Sequence, residues 1–271
     1  MSSDGSCDRF LWYQGGMNEG EIRRFLDRVA AGEGLFAFDG AVTLEGVLSD
    51  AFRKCSSRFD VAPVPPWWRG DGRDGDLDRE APLQAMYEAI HGLGHGYTEG
   101  EAEVIESVAG HTSLPGGLYA VLLLGRLLEG GGLVVDLGAG NGLQTLLALH
   151  LAPRACAVNV ELSRSCIGAG IEIQRFMGIA RDRVAWMRKD IREFVPHGAD
   201  VVYTYRPANP ARPEGRALYR AVAGNLASLE RPVWLVTVTD CLGGALDASL
   251  FRRIDSAGPI VVYRGPEASR A

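Results

Sequence analysis

The stretch Leu133-Val134-Val135-Asp136-Leu137-Gly138-Ala139-Gly140-Asn141-Gly142 decides the fold. An apolar run ends in an acid, and glycines then stand at every second position. Residues Leu143 to Leu151 follow with helical character, a helix being expected over 142–151. Strand, glycine turn and helix in that order let a ligand lie against bare backbone at a helix N-terminus. Three alternate glycines in one turn carry a backbone-entropy cost that packing alone rarely requires. A dinucleotide fingerprint, G-x-G-x-x-G, would want glycine or alanine at position 143, where the chain has Leu143. A phosphate-binding P-loop needs Gly-Lys-Ser/Thr, and no lysine is near.

Around this motif the pattern alternates. A helix at 117–129 leads into strand 133–136, and further strands are expected at 155–160, 183–188, 199–205, 233–239 and 259–264. Helices are expected between them at 163–178, 190–194, 214–229 and 246–257. Such alternation predicts a doubly wound, mostly parallel α/β sheet of Rossmann-like type, whose ligand lies beyond the carboxyl ends of its strands. Residues 1–110 read as a mostly helical cap and residues 111–271 as the ligand-binding domain.

Within the cap, helical spacing covers 20–32 (Ile22, Phe25, Leu26, Val29) and 43–58 (Leu44, Val47, Leu48, Phe52). Two more helices are expected at 82–91 and 99–109, the second opened by Thr98 with Glu101 three residues on, a capping box. The proline-rich run 61–68 ends in Trp67-Trp68, a pair that either staples the cap to the main domain or walls a substrate site. His91, His95 and Glu99 stand four apart, the spacing of metal ligands on one helix face. Glycines at 92, 94 and 96 break that helix, so no metal site is expected.

Composition narrows the class. With 46% apolar and 23% charged residues, the 271-residue chain is a soluble globular protein. No apolar run is long enough for a transmembrane helix, and Met1–Asp8 lacks a signal peptide's apolar core. Five cysteines (7, 55, 156, 166 and 241) without a C-x-x-C pair fit reduced thiols in the cytoplasm. Residues 1–110 carry a net charge of −10 and residues 111–271 a net +4. So acidic a cap is a poor surface for a nucleic-acid backbone.

The D-x-G-x-G-x-G motif resembles the first motif of the class I S-adenosylmethionine (SAM)-dependent methyltransferases, and the resemblance covers about residues 112–265. It implies SAM as cofactor, with Asp136, Gly138, Gly140, Asn141 and Gly142 in the loop that holds it. Asp136 would orient that loop or reach the methionine ammonium. Glu161, at the end of the second strand and followed by Leu162, would accept the ribose hydroxyls. Asp190 would accept from the adenine amine, with Ile191 packing on the ring, although Asp190 also reads as an N-cap. The sulfonium faces the end of the fourth strand in this family. There the chain carries Asp200-Val201-Val202-Tyr203-Thr204-Tyr205-Arg206-Pro207, without the N-P-P-Y of many amino-methylating members.

Tyr203 and Tyr205 share one face of that strand and Thr204 and Arg206 the other. Tyr203 and Tyr205, with His111 ahead of the first core strand, are the catalytic candidates. His95 and Asp240 complete the set of possible bases. The usual ending of the fold is a sixth strand and an antiparallel seventh, yet only 259–264 reads as strand here. A missing or donated seventh strand makes a homodimer worth testing.

These features suggest methyl transfer from SAM to a small molecule, cationic in one version, with neither nucleic acid nor membrane as partner. An alternative attack at the aminocarboxypropyl carbon would release methylthioadenosine; SAM's own amine as attacker would give azetidine-2-carboxylate. Methylation of protein or RNA would need a basic docking surface, which the sequence does not show.

Overall fold

A computed structural model describes residues 17–59, 77–94, 97–110 and 117–266. His95, His111, Thr112, Ser113 and the Trp67-Trp68 pair lie outside the described residues. The centre is a seven-stranded sheet formed by β1 (Gly132–Leu137), β2 (Ala155–Glu161), β3 (Val184–Arg188), β4 (Val201–Tyr205), β5 (Val233–Val238), β6 (Arg252–Ala257) and β7 (Ile260–Gly265). Their order is β3-β2-β1-β4-β5-β7-β6. The first five run parallel, and β7 runs antiparallel between β5 and β6. The order reverses at β1, which lies between β2 and β4. Its carboxyl end is therefore the topological switch point, where such sheets bind ligands.

Among the described residues, eight α-helices surround the sheet: α1 (Glu19–Ala30), α2 (Ala41–Ser56), α3 (Leu77–His91), α4 (Glu99–Ser107), α5 (Leu118–Leu127), α6 (Leu143–Leu151), α7 (Arg164–Phe176) and α8 (Pro213–Ala227). One sheet face packs under α5, α6 and α7, and the cap helices α1–α3 complete that core through Ile22, Leu26, Leu44, Leu48, Leu83 and Ile90. The cap thus shares a continuous apolar interior with the sheet. The opposite face is covered by α8 through Leu218, Val222 and Leu226. Thr98 and Glu101 form the expected capping box at α4. A second one, Asn18 with Glu21, opens α1. The third helix runs from Leu77 through Pro82, a turn earlier than the spacing around Pro82 suggested. No described helix is long and apolar enough to cross a membrane.

The expected helix at 246–257 is not formed. Residues 239–251 run as turns, and Arg252–Ala257 is the strand β6, joined to β7 by the Gly258-Pro259 turn. The reason lies in the register. Arg253 pairs with Tyr263 and Asp255 with Val262, so Ile254 is an extra residue in a bulge. The bulge leaves Phe251, Ile254 and Ala257 buried at a spacing of three, which imitates a helix period. The seventh strand is therefore present and supplied by the chain itself, and the sheet needs none from a second subunit.

Candidate functional site

A cleft of about 870 Å³, counted out to its open mouth, lies at the carboxyl ends of β1, β2 and β4. Asp136, Gly138, Gly140, Glu161, Leu162, Asp190, Ile191, Tyr203 and Tyr205 all line it. The sequence-derived residues that are described are thus brought together, with two exceptions in the glycine loop.

The loop's glycines divide their work. Gly138 has φ +82°, and a Cβ there would come within 2.6 Å of Pro207. Its N–H and that of Ala139 donate to the Val160 carbonyl at 3.0 and 3.1 Å, which fixes the turn to the end of β2. Gly142 does not line the cleft. With φ +65°, a Cβ there would meet the Asn159 amide at 2.5 Å and the Trp186 ring at 2.6 Å. The third glycine therefore serves helix–sheet packing.

Asn141 also turns away from the cleft wall. Fully buried, its Nδ2 donates to the carbonyls of Ile90, His91 and Leu93 at 2.9, 3.1 and 3.0 Å. Ile90 and His91 end α3 and Leu93 lies just beyond it; the Ile90 carbonyl also accepts from the Leu93 N–H at 3.0 Å. The sequence placed Asn141 on the cofactor; its side chain instead fastens the cap to the glycine loop.

Glu161 is held by backbone alone. Its Oε1 accepts from the N–H groups of Leu162 (2.8 Å) and Ser163 (2.9 Å), and its Oε2 from Gly140 (2.8 Å). A carboxylate offers about four acceptor sites. Three are used, which leaves one, on Oε2, for a ligand donor. Taking a second ribose hydroxyl would require one backbone N–H to be exchanged. Burial pushes the Glu161 carboxyl up, against the three N–H groups that favour its ionised form. Asp136, at the floor, is 2% exposed, and burial and then the charge of Glu161 raise its carboxyl well above the usual range.

Asp190 does both jobs that the sequence left open. It lines the cleft, and its side chain caps the following 3-10 turn by accepting from the Arg192 N–H at 2.8 Å. Burial would raise its carboxyl, but the Arg192 guanidinium (2.9 Å from Nε) and that N–H hold it below the usual range.

Both tyrosines favour the protonated form. Burial raises both phenols, Tyr203 well above the ordinary value, so both stay protonated at neutral pH. In that form their hydroxyls can orient a ligand by donating. Asp240 is engaged elsewhere, accepting from the Tyr263 hydroxyl at 2.6 Å, and is not part of the cleft wall. His91, weighed from the sequence only for metal binding, is the one histidine among the described lining residues. Gln144, in the first turn of α6, also lines the cleft and was missed. Its position within an apolar helical run gave no sign of which way it faces.

Residues 91–94 and 97–110 form a strap that closes the remaining side, through His91, Tyr97, Ile105, Val108 and Gly110. It is fastened beside each ligand loop. Asn141 holds its start, Gly110 bridges Ala208 after β4, and the Asn209 N–H donates to Ala109 at 2.8 Å. In between, Glu101 caps two helices at once. Its Oε1 accepts from the N–H groups of Arg164 (2.7 Å) and Ser165 (3.3 Å) at the start of α7, its Oε2 from Thr98 N–H (3.2 Å) at the start of α4.

Burial alone would raise the Glu101 carboxyl, but the N–H groups of Thr98, Ser165 and Arg164 outweigh it and bring it down to about 2. A folded-state value below the unfolded one gives stabilisation that is complete above about pH 4.5 and lost as pH falls toward about 2. Glu101→Gln should therefore flatten the acid limb of a urea-unfolding series taken between about pH 6 and about pH 3. An acid limb as steep as the wild type's would show that Glu101 is not a clasp.

No protein-family model matches the sequence, and no curated protein matches it. Solved structures of similar fold are found. TrmN from Thermus thermophilus is 23% identical over 54% of this chain and 49% of its own, with a TM-score of 0.42. The chain thus spans about half of TrmN's length. An RNA methyltransferase from Salinibacter ruber, in complex with S-adenosyl-L-homocysteine, is 20% identical over 58% of this chain and 98% of its own, TM-score 0.43. The mitomycin 7-O-methyltransferase MmcR is 15% identical over 93% of this chain and 74% of its own, TM-score 0.44. Enzymes of RNA and of a small molecule stand side by side among them, so the likeness concerns the fold. Sheet order, the antiparallel β7 and the glycine loop give this chain the class I methyltransferase fold.

Proposed function

We propose that this protein is a SAM-dependent methyltransferase whose acceptor is a small molecule. The observation that carries the reading is Glu161, fixed by three backbone N–H groups at the rim of the glycine loop, with one acceptor site left for the cleft. The residues present fit the cofactor. Glu161 Oε2 has an acceptor site left for a ribose hydroxyl, and Asp190 and Ile191, which line the same cleft, would take the adenine amine and ring in the proposed mode. Burial favours the neutral form of the Asp136 carboxyl, and a cationic ligand above it would offset that and draw it toward its ionised form. When bound, SAM supplies an electrophilic methyl group on a sulfonium.

The chain's own part is then alignment and the exclusion of water, which together account for most of the acceleration of an in-line displacement. Pro207, Ile105, Val108 and Leu218 provide apolar walls, and Tyr203 and Tyr205 provide ring faces and hydroxyl donors. A strap pinned at three places leaves little room for a macromolecular acceptor. The acidic cap repels a phosphate backbone, which supports the small-molecule reading over RNA.

Incubation of the protein with SAM, alone and with the low-mass fraction of a cell extract, followed by mass spectrometry of the adenosyl product, tests this. S-adenosylhomocysteine formed only with extract is the expected result. Methylthioadenosine would mean cleavage at the aminocarboxypropyl carbon instead, and strong salt-sensitive RNA binding would contradict the small-molecule acceptor.

A further inference from the structure

The loop after β4 brings into the cleft a positive charge that the protein itself leaves unmatched. We propose that Arg206 receives a carboxylate on the acceptor molecule, so that the substrate is a monoanionic acid with an apolar body. Arg206 lines the cleft and is half-buried. Its Nε is buried without a hydrogen-bond partner, and its guanidinium enters no ion pair among the described residues. Arginines with a structural task in this chain behave otherwise: Arg192 pairs with Asp190, Arg231 with Asp200 and Arg252 with Glu19. A guanidinium withdrawn from water without a partner is unfavourable. An oxyanion entering the cleft would offset that with charge-assisted hydrogen bonds.

The position is strained and braced. Arg206 has φ +34°, a left-handed conformation that residues with a Cβ rarely adopt. Such strain persists where the surroundings over-determine it, often at ligand clamps. On one side the Thr204 hydroxyl donates to the Leu137 carbonyl at 3.0 Å. On the other, the Tyr219 hydroxyl accepts from the Ala208 N–H at 3.1 Å and donates to the Ala208 carbonyl. Glycine would relieve the strain but would bring no charge.

Sheet order sets this charge apart from the nucleoside side. β4 neighbours β1 on the side away from β2 and β3, whose ends lead to Glu161 and Asp190. A nucleoside held by those two carboxylates leaves the β4 side to a second molecule, so the inference rests on the cofactor reading above. Ile105, Val108, Pro207 and Leu218 are apolar lining, and Arg206 is the one arginine or lysine among the described lining residues. A single fixed positive charge matches a monoanion and would leave a dianion half-neutralised. The planar fork of a guanidinium fits a carboxylate edge.

Benzoate and benzamide share size and shape and differ in charge, and they serve as probes on the full chain loaded with S-adenosylhomocysteine. Calorimetry should show benzoate binding at least about tenfold tighter than benzamide, as expected for one charge-assisted pair. Arg206→Met, similar in length and uncharged, should abolish that preference and leave S-adenosylhomocysteine affinity unchanged. Arg206→Lys should keep part of the preference. Thermal melts show whether the variants fold; should Arg206→Met not fold, the wild-type ratio and the lysine variant decide. Benzoate binding no better than benzamide, or not at all, would overturn the proposal, as would a preference that survives Arg206→Met. Weaker S-adenosylhomocysteine binding by a folded Arg206→Met would give the guanidinium to the cofactor and overturn it too. In all these cases wild-type binding of S-adenosylhomocysteine leaves the cofactor reading standing. A wild type that does not bind it would overturn both.

Discussion

Glu161→Ala should remove measurable binding of SAM, a loss of at least about 100-fold, because two effects act together. The variant lacks the acceptor facing the cleft. It also releases the N–H groups of Gly140, Leu162 and Ser163, which the carboxylate ties together across the ends of β1 and β2. The glycine loop then loses its link to the turn into α7, and the surface that a ligand would lie on is no longer held in shape. Glu161→Gln should recover only part of the affinity, since an amide nitrogen facing the Gly140 N–H repels it. Titration calorimetry of both variants beside a thermal melt separates loss of the site from loss of the fold. Wild-type affinity in the alanine variant would contradict this role for Glu161.

Asn141→Ala carries the second large effect, on stability and on the cap. The carbonyls of Ile90, His91 and Leu93, at and just beyond the end of α3, would lose the Asn141 donor at once, with only Ile90 keeping a second donor, the Leu93 N–H. A buried group left unsatisfied costs about 1–3 kcal/mol, and with two of these carbonyls part-buried a loss of about 2 kcal/mol is expected in urea unfolding. Because the same side chain joins the cap to the glycine loop, limited proteolysis should cut within residues 77–94 before the sheet unfolds. Wild-type stability together with wild-type protease resistance would mean that the cap is held by its apolar core alone.

Features set by local pattern were legible in the sequence. An apolar run, an acid and alternate glycines specify strand, turn and helix within ten residues, and Glu161 follows from its place just after the next strand. What the sequence did not show depends on long-range packing. An asparagine inside a glycine turn points either to the ligand or away, and only the docking of α3 decides which. Gln144 sits in an apolar helical run, where its burial is set by the sheet and cap that close around it.

The strap over the cleft was expected as a helix at 99–109. Its placement, however, comes from Gly110 pairing with Ala208 nearly a hundred residues on. The bulge at Ile254 shifted the apolar spacing of β6 from two to three and hid a strand inside a helical pattern. In both cases pairing with a distant segment, which local spacing does not carry, decided the structure.

The central claim is that the cleft at the ends of β1 and β2 receives an adenosyl sulfonium through Glu161. Calorimetric titration of the full chain with SAM tests it most directly. One saturable site per chain, absent in Glu161→Ala under the same conditions, is the predicted result; no heat of binding in the folded wild-type protein would contradict the account.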